Sequence, residues 1–496
     1  EARPNPEGWA KLANALRTTF RTEPCQGWQL YCRYLESFNV NKSALKRYGA
    51  FDISMIGDLP LFIDPFRLFA SNNPRYRQWH DQIVRYLKFL CEHAGSGAFS
   101  DGSSAHAYYS FPEVSNIYMG YCKFGSFGKG LGAEFARGLL DKLRESFVDN
   151  QETGDPGTFH VEKLRFIGAR VGKDFISDLT ANLIKNRLLD YTQAFARRNI
   201  ASNLCGWFDV DHAEFDFGES VWKKKQYWLP RDANKKDKKK NFVLLVPREI
   251  LTRGELEISM SGFMDALKEL PASVDNERLR EKLNGLIEKV YKNNRRIALQ
   301  KCAFACKDFI SRHPEIIDCY IRWVERNRSV GTSASVDTSD FQNLLERLGP
   351  TFKDALVRSG FNRMNWNSVR AARGRANAFR RCIEAVNFYG LMCPHGERFM
   401  SETEFEWLCG LIWNADTGVK GDNAIVDFKY ASGRQLGYYL RQNAAAFNAG
   451  DAPGAKVCMI FCFNREERQK VESELGRNRL ERSRNIIVIN VWRDER

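Results

Sequence analysis

The chain has 496 residues, the length of about three domains of ordinary size. Apolar residues make up 43% and aromatic residues 13%, so the chain can bury a sizeable core and an intrinsically disordered protein is excluded. Lys and Arg outnumber Asp and Glu by 75 to 61, a formal net charge of +14. This excess suits a polyanionic partner such as nucleic acid, although an anionic membrane surface would accept it too.

Cysteine usage and hydropathy narrow the class of protein. The 13 cysteines include no CxxC pair and the seven histidines are dispersed, so no zinc site of the usual spacing is predicted. Reduced, mostly buried thiols in a cytoplasmic protein are the expectation. No apolar run approaches the ~18 residues of a membrane span and no secretory signal is recognisable, so no membrane partner is predicted.

Composition shifts along the chain predict a mixed α and β protein in four segments. The first mixes short strands with Gly/Ser-rich loops, the second is mainly helical, the third is a small, polar linker, and the fourth alternates helix and strand. Their predicted bounds are residues 1–155, 156–329, 330–342 and 343–496.

Two apolar periodicities support the helical second segment. Apolar residues at spacings of three to five from Phe175 to Phe195 mark one face of a long helix. A similar series from Leu279 to Tyr291 marks a second helix.

Three motifs outside the last segment favour ordinary structure over a site. The glycines of the run 125–132 match neither the P-loop spacing nor the dinucleotide-binding spacing, so an ordinary loop is favoured over the phosphate-binding loop of an NTPase. The acidic group at Asp209, Asp211, His212 and Glu214 could hold a divalent ion, but a solvated loop is favoured. The Lys-rich run 235–240 is interpreted as a loop tip.

Two carboxylates are predicted to face each other in a hairpin of the last segment. Gly421 and Asp422 form a two-residue turn, and counting outward from it places Asp416 opposite Asp427, with Cβ atoms about 5 Å apart. Strand alternation places Lys429 on the same face as Asp427.

This pattern predicts metal-assisted chemistry. Like charges directly opposite destabilise a sheet unless a cation lies between them, and Mg²⁺ prefers such oxygen ligands. Lys429 would stand beside the metal-bound water or a scissile phosphate and offset charge that builds in the transition state. The structural alternative is a solvated strand face with a local ion pair.

Asp416 followed by Asp427-Phe-Lys429 at the end of an apolar strand resembles the PD-(D/E)xK restriction-endonuclease-like nuclease superfamily, over about the last 100 residues. The following elements are similar too: a helix with Gln435 and Tyr439, a buried strand over 456–463, a helix from 465, and a last strand over 485–492. The resemblance implies a restriction-like α/β domain that uses Mg²⁺, or alternatively Mn²⁺.

The resemblance also implies roles for residues on neighbouring helices. Glu404, on the helix before the hairpin, matches an acidic residue that many members use as an extra metal ligand or orienter. It also completes a capping box with Ser401, which is the structural alternative. Gln435 matches a nucleic-acid-contacting position, with an ordinary helix-surface residue as the alternative.

A basic helix lies just upstream of the candidate site. Residues 361–381 contain six arginines and no acidic residue, and the apolar spacing allows Arg370, Arg373 and Arg380 to share an outward face. Arginines at this spacing can follow a phosphate backbone, whereas the bland alternative is a solubilising helix surface.

The sequence therefore predicts a Mg²⁺-dependent endonuclease, with Asp416 and Asp427 as metal ligands and Lys429 and Glu404 completing the catalytic set. The predicted partner is nucleic acid, DNA in preference to RNA, and a homo-oligomer or a partner protein stays open. By analogy, a chain that joins such a nuclease domain to a region of unknown role resembles a prokaryotic restriction or anti-phage defence effector. The alternative is a non-catalytic nucleic-acid-binding or assembly subunit with a degenerate nuclease fold.

Overall fold

The computed structural model describes the following residues: 33–55, 58–95, 108, 111, 113–120, 160–167, 171–233, 241–292, 295–296, 298–327, 355–356, 358–359, 361, 364, 368–385, 388–389, 393, 402–414, 426–433 and 436–492. Two compact units contain them, an N-terminal unit within Arg33–Asn343 and a C-terminal unit within Leu344–Arg496. Both helices and strands are present in each, and the predicted mixed α/β class is confirmed.

The predicted linker over 330–342 and the boundary near residue 155 lie outside the described residues. Elements from both sides of residue 155 belong to the N-terminal unit, because strand β1 (Phe62–Ile63) pairs antiparallel with strand β4 (Leu251–Thr252). A long-range strand pair of this kind leaves no trace in local sequence patterning.

The N-terminal unit is mainly helical in its described part. Its helices are α1 (Tyr34–Ser37), α2 (Lys42–Tyr48), α3 (Pro65–Ala70), α4 (Pro74–Gly95), α5 (Leu164–Ile167), α6 (Lys173–Leu183), α7 (Lys185–Asn199), α8 (Met260–Ala266), α9 (Glu277–Val290), α10 (Leu299–Arg312) and α11 (Ile316–Asn327). Its remaining strands are β2 (Cys205–Asp216), β3 (Val221–Pro230), β5 (Tyr291–Lys292) and β6 (Arg295–Arg296).

The predicted long helix is divided. The backbone of Ile184 leaves the helical conformation, at φ −105° and ψ 16°, and separates α6 from α7. The buried residues of α7 are out of phase with those of α6, but spacings of three to five tolerate such a shift, so the apolar series did not locate the break. The second periodicity corresponds to α9, whose residues Leu279 and Leu283 are buried in the helical core.

The C-terminal unit contains a parallel sheet between helices. Its described helices are α12 (Val369–Ala385), α13 (Glu402–Asn414), α14 (Leu436–Gln442), α15 (Ala444–Asn448) and α16 (Arg465–Arg477). Its described strands are β7 (Val426–Tyr430), β8 (Val457–Cys462) and β9 (Ile486–Asn490), paired parallel in that order. The strand, helix and strand predicted after residue 455 are confirmed.

Helices cover both faces of this sheet, as parallel sheets require. On one face, Phe428 of β7 contacts the rings of Phe379 and Trp413, from α12 and α13. On the other face, apolar residues of α14 and α16 pack against Cys458 and Ile460 of β8. No helix in the described part of the chain is long and apolar enough to cross a membrane.

Candidate functional site

Strand β7 separates its polar and apolar side chains onto two faces. Val426, Phe428 and Tyr430 are at most 6% exposed, whereas Asp427 and Lys429 between them are only partly buried. The predicted alternation of this strand is therefore confirmed over 426–430. Asp427 lies in register with Cys458 of the neighbouring strand β8, so the acidic side chain is supported by a buried strand.

Helix α14 places a phenol against the Asp427 carboxylate. The hydroxyl of Tyr439 donates a hydrogen bond to Oδ2 of Asp427. Burial, followed by the nearby Cys458 and Asp427, raises the pKa of Tyr439 far above its usual value, so the phenol stays protonated and remains a donor. The carboxylate of Asp427 is thus held in one orientation.

Helix α13 brings a second carboxylate to the same strand. Oε1 of Glu406 forms an ion pair with Nζ of Lys429, and each side chain is 21% exposed. The same ammonium lies 5.0 Å from the ring centroid of Tyr439, a cation–π distance. Asp427, Lys429, Glu406 and Tyr439 therefore form one connected polar cluster, here called the β7 cluster.

Glu406 was missed by the sequence prediction, which chose Glu404. Successive helical residues are about 100° apart, so the two glutamates flank the buried Phe405 on opposite sides. The helical pattern shows that both border the apolar face but gives no sign of which one faces β7. Glu404 is 5% exposed, more deeply buried than its partly exposed neighbour Glu406.

Two predicted site residues, Asp416 and Gln435, lie outside the described residues, as does the predicted turn at 421–422. Among the residues that are described, no three His, Cys, Asp or Glu side chains are grouped so that they could hold a metal ion. The β7 cluster supplies carboxylates at Asp427 and Glu406, which are hard oxygen donors of the kind Mg²⁺ takes. Both carboxylates are already engaged, Asp427 by the Tyr439 hydroxyl and Glu406 by the Lys429 ammonium.

The three arginines predicted to share an outward face of α12 differ in their exposure and in their partners. Arg370 is exposed, whereas Arg373 donates to Oδ1 of Asp451 at 2.9 Å and to Oδ1 of Asn485 at 2.8 Å. Nε of Arg380 lies 3.8 Å from Oε1 of Glu384, and its side chain is 40% exposed. The three arginines do not present one uniform outward face, because a tertiary contact holds Arg373 back against the fold.

The lysines of strand β3 neutralise the acidic group on β2. Lys224 pairs with both Asp209 and Asp211, and Lys225 pairs with Glu214. Interstrand ion pairs of this kind stabilise the ribbon modestly, and the prediction of a solvated loop is wrong because these residues belong to strand β2. The Gly-rich run 125–132 and the Lys-rich run 235–240 lie outside the described residues.

Comparison with known proteins gives one match. A family model described as a domain of unknown function, DUF8370, matches residues 39–259. This range is less than half of the chain, lies within the N-terminal unit and does not include the β7 cluster. No curated protein and no solved structure matches the chain.

Proposed function

We propose that the C-terminal unit is a metal-dependent nuclease that hydrolyses phosphodiester bonds of nucleic acid, with DNA the preferred substrate. The observation that carries the proposal is the β7 cluster, where Asp427 and Lys429 share one face of a parallel strand and a carboxylate from the preceding helix meets them. An acidic and a basic residue two positions apart are an arrangement that phosphodiester hydrolysis can use directly.

The chain's own residues have separable roles in this proposal. Tyr439 orients the Asp427 carboxylate through its hydrogen bond, so that the second carboxylate oxygen can bind a cation. Lys429 offsets negative charge on a phosphate oxygen, and it must exchange its contact with Glu406 for that oxygen. Asp427 and Asp416 would hold Mg²⁺, with Glu404 or Glu406 beside them, and the bound ion would supply Lewis-acid activation.

Phosphate contacts in this proposal come from α12. Arg370 is exposed and Arg380 is partly exposed, so both can reach a phosphate without leaving a buried partner. Arg373 can contribute only by giving up its bonds to Asp451 and Asn485. Gln435 stays a proposed contact from the resemblance alone.

A second candidate function is a non-catalytic nucleic-acid-binding subunit. The contacts within the β7 cluster favour this non-catalytic function. Lys429 already has a carboxylate partner, and Asp427 already accepts a hydrogen bond from Tyr439. A resting site with both groups engaged would bind nucleic acid through its arginines and show no cleavage with any divalent ion.

Cleavage assays distinguish the two functions. Supercoiled plasmid, linear duplex and single-stranded RNA are incubated with the full chain and Mg²⁺ or Mn²⁺, beside the variant Lys429→Met. We expect the variant to lose at least about 100-fold in cleavage rate and to retain substrate binding. Lys470→Met, an exposed lysine on α16, is the matched control and should cleave at the wild-type rate.

Binding without cleavage by the wild-type chain, with every substrate and both ions, would support the non-catalytic function. Equal cleavage by Lys429→Met and Lys470→Met would remove Lys429 from the mechanism.

A further inference from the structure

Strand β9 is an edge strand in the described part of the chain. It pairs with β8 on one side, and no described strand pairs with its other side. The N–H of Cys458 donates to the carbonyl of Asn485, and the N–H of Val491 donates to the carbonyl of Cys462, both at 2.8 Å. In a parallel pair every second residue bonds to a given neighbour, so the odd-numbered residues of β9 face β8. The N–H and C=O groups of the even-numbered residues therefore point away from the sheet.

The sequence of β9 leaves this edge unprotected. Natural proteins usually blunt an exposed edge with a lysine, a proline or a bulge, and Ile486–Asn490 contains no charged residue, proline or glycine. Four of its five residues are β-branched, which favours extended backbone. Ile486 and Val488 are only partly buried against the core of α14 and α16, and Asn490 is exposed. The strand is thus suited to accept another strand.

A groove of about 510 Å³ follows this edge between two helices. Asn377, Arg380 and Glu384 of α12 line one side of it. Arg468 and Glu472 of α16 line the other. Each side therefore carries one arginine and one glutamate next to the strand.

The charges of α16 have a defined position along β9. Nη1 of Arg468 lies 3.5 Å from Oδ1 of Asn490, at the end of the strand. Helix α16 precedes β9 and runs antiparallel to it, so Glu472 lies about 6 Å toward the beginning of the strand. That distance places Glu472 near the level of Val488, which is about 6–7 Å before Asn490. Nε of Arg468 and Oε1 of Glu472 are 2.7 Å apart.

The charges of α12 have the opposite order. Nη1 of Arg373 donates to Oδ1 of Asn485, just before the strand begins. Arg380 lies about 10 Å further along α12, and Val488 lies about 10 Å further along the strand, so the two are near one level. Glu384 is one turn beyond, and its Oε1 lies 3.8 Å from Nε of Arg380. At the level of Val488, α12 therefore presents a cation and α16 an anion.

We propose that the β9 edge pairs antiparallel with the β9 edge of a second copy of this chain, about a two-fold axis at Val488. In this register the two copies of Val488 exchange both of their backbone hydrogen bonds, and Ile486 lies opposite Asn490 of the second copy. The axis also places Glu472 between Arg468 of its own chain and Arg468 of the second copy. The interface is thus self-complementary in backbone and in charge, as a two-fold contact must be.

The same symmetry acts on the α12 side. Arg380 lies between Glu384 of its own chain and Glu384 of the second copy. Arg380 is then engaged at the interface, and the exposed Arg370 in the first turn of α12 remains for phosphate contact. An unrelated peptide could satisfy the strand backbone, but only a second copy supplies opposite charges at matching levels on both helices. The proposal does not depend on the nuclease function.

Sedimentation equilibrium of the full chain at about 1–50 µM tests the contact. We expect a species of twice the mass of the chain. Val488→Lys should weaken dimerisation at least about tenfold, because it places like charges opposite each other across the axis. Val488→Pro should do the same by removing an outward N–H, and it leaves the bonds to β8 in place. The controls Val488→Thr and Gln442→Lys, the latter exposed on α14, should dimerise like the wild type.

Charge reversal on α16 tests the register without changing β9. Arg468→Glu should weaken the dimer by about tenfold, since it leaves carboxylates of both copies facing each other. The double variant Arg468→Glu/Glu472→Arg should restore wild-type affinity. A merely helical role of this pair would leave the dimer affinity unchanged in both variants.

Hydrogen exchange of peptides from β9 supplies a second measurement. The outward amides should become more protected as the concentration of the chain rises, because the second copy covers them. A chain that stays monomeric over the whole concentration range would overturn the proposal. So would a dimer that Val488→Lys, Val488→Pro and Arg468→Glu all leave unchanged. Protection of β9 that does not depend on concentration would overturn it too, because another segment would then cover the edge.

Discussion

Replacing Arg375 by methionine should destabilise the C-terminal unit strongly. Arg375 is fully buried on α12, and its guanidinium donates to the backbone carbonyls of Phe361 at 3.0 Å, Trp413 at 2.8 Å, and Met364. The guanidinium carbon also lies 3.8 Å from the Phe361 ring centroid. One side chain therefore ties α12 to the end of α13 and to the segment before α12.

The loss in free energy of unfolding can be estimated from the hydrogen bonds and the cation–π contact that methionine cannot make. The bonds to Phe361 and Trp413 are buried, and each carbonyl left without a donor costs about 1–3 kcal/mol. The lost cation–π contact adds about 1–2 kcal/mol. Relief of the guanidinium's desolvation offsets part of this sum, so we expect a net loss of about 3 kcal/mol.

Denaturant-dependent hydrogen exchange, followed by mass spectrometry on peptides from β7, β8 and β9, reports the stability of this unit separately from the rest of the chain. Arg381→Met, an exposed position on the same helix, is the control and should change stability by less than about 0.5 kcal/mol. An Arg375→Met chain within about 1 kcal/mol of that control would refute the view that the guanidinium is a structural donor.

Three further predictions concern titration, pairing and thiol access. Burial, and then the nearby Glu162, raise the pKa of Asp64 from its ordinary 3.8 to about 7. Between these two pH values the folded state holds a proton that the unfolded state releases. The free energy of unfolding should therefore fall as pH rises from about 4 through about 7. Asp64→Asn should flatten that fall in urea midpoints, and an unchanged slope would contradict the assignment. A double-mutant cycle with Lys429→Met and Glu406→Gln should give about 1 kcal/mol of coupling, whereas zero coupling would mean that the ion pair does not form. Burial raises the pKa of the Cys458 thiol well above its usual range, so native protein should resist iodoacetamide at this residue until it is unfolded, and rapid native alkylation would contradict the fold around β8.

The local part of the fold could be predicted from the sequence. Alternation along β7 identified the face of Asp427 and Lys429, and the continuous apolar run of β8 identified a buried strand, since both patterns depend only on neighbouring residues. The helical projection of α12 also carried a signal that was not used. At about 100° per residue, Arg375 projects about 60° from the buried Ala372 and about 40° from the buried Phe379, which marks it as a residue turned toward the core.

Contacts between distant segments could not be predicted in this way. The meeting of Tyr439 with Asp427, and of Glu406 with Lys429, depends on how α13 and α14 pack against the sheet. The bond from Arg373 to Asp451 joins residues 78 positions apart, and a phosphate contact by Arg373 would have to displace it. Helix periodicity fixes which side of a helix is buried, but the identity of its neighbour is a property of the tertiary fold.

The most direct test of the nuclease proposal is the initial rate of plasmid cleavage by Asp427→Asn, compared with Glu466→Gln, in Mg²⁺. Glu466 is exposed on α16 in the same unit, so its variant controls for the loss of one carboxylate. We predict that Asp427→Asn falls at least about 100-fold below the control while both proteins bind the plasmid equally. Cleavage by Asp427→Asn at the rate of Glu466→Gln would contradict the proposal that the β7 cluster is the catalytic site.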